Sequence, residues 1–209
     1  MTNNITKIRK FQSLFLDPNL GMAILKKNKT CKINILKKPW LIRSLNIRNS
    51  NIRCLAGIEI FKNLKNLNLE ENKIIDISPL ARLQKLKVLN LSNNNIKHIN
   101  ELSNCRNLKI LNVENNKIID LSPLIDLKKL EKLNVYNNNF KQIEALSNCK
   151  KLKELYIYHP QIMDYKQLSN ISKLKTLYVN YWESNEEDIQ KLQQHLPNCK
   201  VEKTMYCLF

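Results

Sequence analysis

Apolar residues return along this chain at a fixed interval. From Leu86 the sequence reads LKVLNLSNNNI, and the block LxxLxLxxNxI recurs at Leu108 and at Leu130, where Phe140 closes it. Blocks begin at Ile42, Leu64, Leu86, Leu108, Leu130, Leu152, Leu174 and Leu196, every step being 22 residues. Counted from each start, positions 1, 4 and 6 are apolar. Alternation at 4 and 6 predicts a short strand with one buried face. Position 9 is Asn72, Asn94, Asn116 and Asn138 in successive units. These amides should turn inward and bond the backbone at a bend. Losing one would leave buried amides unpaired, at about 1–3 kcal/mol each. Positions 14, 17 and 20 are apolar again, as in Leu121, Leu124 and Leu127, and predict the outer side of each coil.

The two ends depart from this pattern. Asp17-Pro18 predicts a helix start, an N-cap carboxylate followed by proline in the first turn. Leu20, Ala23, Ile24 and Lys27 follow at helical spacing, and Lys26, Lys27 and Lys29 suit a helix C-terminus. Ile33 and Ile35 alternate with polar residues and predict a short strand. Residues 1–41 therefore read as an N-terminal cap, since a terminal repeat cannot cover its own open core. Residues 42–185 are the repeats. Pro160 and Trp182 replace the position-9 asparagine late in the chain. Ser184 to Glu187 reads SNEE, a capping box, and Ile189, Leu192 and Leu196 predict a helix at about 186–196. Leu196, Cys199 and Val201 then fall at positions 1, 4 and 6. Residues 186–209 thus read as a C-terminal cap with a helix and a last strand.

A period in the twenties with this leucine and asparagine pattern is the signature of a leucine-rich repeat solenoid. The chain resembles the 22-residue subclass shared by bacterial internalins and the protein phosphatase-1 regulatory subunit. The segments IIDISPLARLQKL from Ile74 and IIDLSPLIDLKKL from Ile118 carry the resemblance. NSNIRCLAGIEIFKNLKNLNLEEN from Asn49 looks like the first repeat of an internalin, and FLDPNLGMAILKK from Phe15 is similar to its helical cap. The resemblance implies an α/β fold: a right-handed horseshoe with a parallel concave sheet and short 3₁₀ turns on the convex side. Internalins are secreted; here no secretory signal is evident, and that property is not expected to carry over.

A longer period lies over the first. Units at Leu64 and Leu108 carry SPL on the convex side, and those at Leu86 and Leu130 carry NELSNC and EALSNC, a 44-residue pattern. Cys105 and Cys149 occupy equivalent places. Stacked strands lie ~4.8 Å apart, so two units separate these cysteines by about 10 Å, too far for a disulfide. They read as small apolar filler, and all six cysteines as free thiols.

Core residues at 4 and 6 leave positions 3, 5 and 7 facing outward. Position 5 runs through Asn46, Asn68, Asn90, Asn112 and Asn134 to Tyr156 and Tyr178. The early units present a polar, partly acidic surface with Glu70, Glu71 and Glu114. The late units gather Tyr136, Tyr156, Tyr158, His159, Tyr178, Tyr181 and Trp182. Tyrosine and tryptophan dominate binding hot spots, and these seven form the candidate partner-binding patch. Alternatively, the aromatics only stiffen the C-terminal cap. Position 2 carries Arg43, Lys65, Lys87, Lys109, Lys153 and Lys175, interrupted by Glu131. That rim either solvates the edge of the sheet or forms a track for phosphates or an acidic protein tail.

Composition narrows the chemistry. A net charge of +17 at pH 7 admits nucleic acid, an anionic membrane surface or an acidic protein as partner. A genome rich in A and T would also favour this abundance of Lys, Asn and Ile. Gly21 and Gly57 are the only glycines, which excludes Gly-rich phosphate loops. No CxxC or Cys/His cluster points to zinc, and no cofactor motif occurs. His98, His159 and His195 fall in three different structural places, and no HExxH or GxSxG is present. No run reaches the length of a membrane span. The expectation is a cytoplasmic, monomeric, non-catalytic protein-binding scaffold, acting in its own cell or delivered into a host. The alternative is a binder of nucleic acid or another polyanion through the lysine rim.

Overall fold

The computed structural model describes residues 9–27, 38–157, 166–180 and 186–204. Eight parallel strands lie side by side in chain order. They are β1 (Ser44–Asn46), β2 (Asn66–Asn68), β3 (Val88–Asn90), β4 (Ile110–Asn112), β5 (Lys132–Asn134), β6 (Glu154–Tyr156), β7 (Thr176–Asn180) and β8 (Lys200–Thr204). Positions 1, 4 and 6 turn inward, so Leu86, Leu89 and Leu91 are fully buried. The chain then crosses to the outside, where five-residue 3₁₀ turns such as Ser78–Arg82 and Ser122–Asp126 return it to the sheet. Leu121, Leu124 and Leu127 close the core from that side.

Local hydrogen bonding explains both the turns and their alternation. In the SPL units, Asp76 and Asp120 each accept the amide of the serine two residues on, at 2.8 Å. Ser122 also donates its hydroxyl to Asp120, and these bonds lower the Asp120 pKa. In the other units, Ser103 and Ser147 donate instead to the carbonyls of Asn100 and Glu144. Cys105 and Cys149 pack in the core directly after those turns, with the Cys105 thiol 3.5 Å from the Leu80 carbonyl. Burial pushes both thiols up to about 11. Cys54, Cys105, Cys149 and Cys199 are free thiols; Cys31 and Cys207 lie outside the described residues.

The position-9 asparagines form the expected inner ladder. Asn94 accepts the Ile74 amide at 3.0 Å and donates to the carbonyls of Leu69, Leu91 and Ser92. Asn116 repeats this arrangement one turn on. The preceding residue, position 8, takes φ near +50° at Asn49, Glu71, Asn93, Asn115 and Asn137. Asparagine tolerates that left-handed conformation better than other side-chain-bearing residues, which accounts for the paired asparagines at 93–94, 115–116 and 137–138. The exposed amides also form a second ladder, Asn137 to Asn115 to Asn93, each bond 2.8 Å.

At the amino end, α1 (Pro18–Lys27) buries Leu20, Ala23 and Ile24 against the first coil, beside an edge-on Phe11–Phe15 pair. Asp17 caps α1 through the Asn19 amide at 2.8 Å and also accepts the amides of Arg53 and Cys54. One carboxylate thus joins cap to repeat. Gly57 sits at φ 99°, and a Cβ there would lie 2.4 Å from the Leu14 carbonyl oxygen, so only glycine admits this contact. The strand expected around Ile33 and Ile35 lies outside the described residues.

The carboxyl end departs from the 22-residue register. Strands β1 to β7 pair with offsets of 22, but β7 pairs Leu177 with Val201, an offset of 24. A short helix, α2 (Lys166–Ser169), already replaces a 3₁₀ turn. Then α3 (Glu186–His195) takes the place of another and uses two more residues to re-enter the sheet. The expectation that Cys199 and Val201 fall at positions 4 and 6 is therefore corrected to positions 2 and 4. Because the slip is even, Val201 stays on the inner face. Gln193 holds the junction, donating to the carbonyls of Leu196 and Cys199. The capping box at 184–187 begins outside the described residues.

Candidate functional site

The concave face is built by strand positions 3 and 5 in register. Position 5 does two jobs. Asn68, Asn90, Asn112 and Asn134 each accept the amide of the residue two places on, at 2.9 Å. They end their strands rather than simply offering amides to a partner. Asn112 and Asn134 are buried, and Asn134 donates to Glu114 at 3.0 Å.

At β6 the column changes to tyrosine. Tyr156 and Tyr178 are register partners and stack with ring centroids 4.0 Å apart and planes 11° from parallel. The Lys132 ammonium lies 5.1 Å from the Tyr156 ring centroid and 3.4 Å from Glu154. Tyr156 is only 5% exposed. The expectation that Tyr156 faces outward into solvent is corrected here. In-register stacking covers the Tyr156 ring, so it acts as a platform under Tyr178. Its truncation would cost stability as well as surface. Tyr136 and Tyr178 are half-buried and retain an accessible edge. Tyr158, His159, Tyr181 and Trp182 lie outside the described residues. On the far side, β8 sets Glu202 opposite Tyr178, and Glu202 binds Lys200 and raises its pKa.

A feature the sequence reading passed over lies at position 3. Val88 and Ile110 point outward there and floor a shallow groove of about 340 Å³, edged by Asn46, Asn66, Asn68 and Asn90. The signal was present as two apolar residues in an outward-facing column otherwise holding Ser44, Asn66, Lys132, Glu154 and Thr176. Lys132 lines this groove and also covers Tyr156, so groove and tyrosine stack form one surface.

The rim residues stand just before their strands. Arg43, Lys87, Lys109, Lys153 and Lys175 are exposed, and Lys65 is half-buried. Glu131 binds Lys109 at 3.0 Å and Lys153 at 3.3 Å, and these two hydrogen bonds lower its pKa. Among the described residues no group of three or more His, Cys, Asp or Glu could hold a metal ion. No helix among them is long and apolar enough to cross a membrane.

Comparison with known proteins agrees with this geometry. The family model described as a leucine-rich repeat region matches residues 41–204. No curated protein matches. Among solved structures, an internalin of Listeria monocytogenes superposes with a TM-score of 0.75 at 28% identity, over 92% of this chain and 56% of its own. Internalin C2 of the same species gives 0.62 at 25%, over 93% and 96%. A repeat protein of Leptospira interrogans gives 0.66 at 23%, over 82% and 44%, and shares the fold. The chain therefore spans little more than half the length of the first of these.

Proposed function

The chain belongs to the leucine-rich repeat family, and on that premise we propose that it is a non-catalytic scaffold whose concave face captures a protein partner. The observation that carries the reading is the continuity of the concave surface. An apolar floor of Val88 and Ile110, edged by amides, runs through Lys132 into the Tyr156–Tyr178 stack. A partner would seat apolar side chains over the groove and cover the open edges of Tyr136 and Tyr178. Rings of this kind contribute ~2 kcal/mol or more at the centre of an interface, which is about thirtyfold in affinity for each. Tyr156 holds Tyr178 in place from beneath. Tyr158, His159, Tyr181 and Trp182 are included in the proposed contact on their sequence positions alone.

The test begins with a partner captured from the source cell, identified and purified. Its affinity is then measured for three double or triple variants. Tyr136→Ala with Tyr178→Ala, and Val88→Asn with Ile110→Asn, should each weaken binding at least tenfold while the protein stays folded. Lys65→Gln, Lys87→Gln and Lys109→Gln together should weaken it modestly, and mainly at low salt. Full affinity in both concave variants would refute the assignment.

A further inference from the structure

Three columns of basic side chains run along one edge of the solenoid. The position-2 rim is the innermost. Position 21 adds Lys62, Arg106, Lys128 and Lys150, all exposed. Position 22 adds Lys85, Lys129, Lys151 and Lys173, also exposed. These residues form the turns that bring each coil from the outer 3₁₀ segment into its strand. The strands β1 to β7 keep a constant offset, so the columns are straight. At ~4.8 Å per strand they extend for about 29 Å from Arg43 to Lys175. Glu131 is the one acid in them, and it is occupied by Lys109 and Lys153. Other contacts hold the columns upright: Lys129 donates to Asn107 at 2.7 Å, and Asn63 donates to the Trp40 carbonyl at 2.7 Å.

The same columns end in apolar residues. Trp40 and Leu41 stand one repeat before Lys62 and Asn63, in the 3₁₀ turn Pro39–Leu41. They are 49% and 52% exposed. We propose that this edge docks on an anionic lipid surface, with Trp40 and Leu41 entering the interface and the lysine columns lying over the headgroups. The surface is several cations wide, which suits a plane of charge better than a single strand of phosphates. An exposed leucine beside the tryptophan has a use at a bilayer boundary, where amphipathic aromatics and apolar chains insert, and none against a phosphate backbone. The inference is independent of concave-face capture, which uses outward side chains of the strands themselves, whereas the lysine columns lie in and just after the turns that precede them.

Each lysine near an anionic leaflet is worth about fivefold in partitioning. The full chain should co-sediment with phosphatidylcholine vesicles containing about 30% phosphatidylserine, and not with pure phosphatidylcholine. Raising salt from ~0.1 to ~0.5 M should release it. Lys128→Gln, Lys129→Gln and Lys151→Gln together should weaken binding about a hundredfold. Trp40→Ser with Leu41→Ser should weaken it at least tenfold, with an unchanged thermal midpoint confirming the fold. Equal binding to neutral vesicles, or none to anionic ones, overturns the proposal. So does a duplex nucleic acid that outcompetes the vesicles and binds the Trp40/Leu41 variant as tightly as the parent chain.

Discussion

Replacing single asparagines of the inner ladder by alanine should produce unequal losses, and the inequality can be worked out bond by bond. In Asn94→Ala the carbonyls of Leu69, Leu91 and Ser92 each lose one donor. Each keeps another: Asn72 at Leu69, Asn116 at Leu91 and the Glu71 amide at Ser92. The group left without a partner is the Ile74 amide, whose bond to Asn94 is buried. One orphaned buried amide costs about 1–3 kcal/mol. In Asn72→Ala two amides are orphaned, those of Ile52 and Ser50, because Asn72 Oδ1 accepts both. The Ile52 amide is buried, whereas the Ser50 amide is only partly so and can recruit water. The Ile47 carbonyl also loses the Asn72 donor. The Asn72 loss should therefore exceed the Asn94 loss by about 1 kcal/mol. Urea denaturation with fixed m-values measures both. Equal losses, or a larger one at Asn94, would show that the ladder shares its load differently from the hydrogen bonds described.

Two further effects follow from backbone strain and buried thiols. Glu71 holds φ 55° where Asn49, Asn93, Asn115 and Asn137 stand in neighbouring units, so Glu71→Asn should raise stability by about 0.5–1 kcal/mol; a loss in the same denaturation assay would contradict the strain. Cys105 and Cys149 have thiols raised from an ordinary 9.0 to about 11 by burial. The folded state keeps both protonated while the unfolded state ionises them first, so their contribution is complete below pH 9 and is lost as the pH rises through 9 to 11. A two-unit shift corresponds to at most about 2–3 kcal/mol per thiol. The parent should lose more stability across that window than Cys105→Ala with Cys149→Ala, and parallel pH profiles would refute the cause.

The scaffold was legible in the sequence because its determinants lie within one repeat. A 22-residue interval, apolar positions 1, 4 and 6, and an asparagine at 9 define a coil whose inner face must close on its neighbours. The Asp17-Pro18 start and the apolar spacing after Glu186 likewise specify helices locally. What lies between repeats was not legible. A side chain at position 5 points outward by alternation, yet whether it is open depends on the residue 22 places away. That is why Tyr156 is covered by Tyr178, which itself keeps an open edge. The same lateral packing turned Asn112 and Asn134 from surface amides into buried strand ends. The final two-residue slip also required the fold, since a helix and a 3₁₀ turn consume different lengths of chain and only strand pairing shows how the difference is absorbed. Asp17 reaching Arg53 and Cys54 joins residues far apart in sequence. Periodicity set the coil, and stacking of one coil on the next decided which of its side chains meet solvent, which meet each other, and where the positive charge is concentrated.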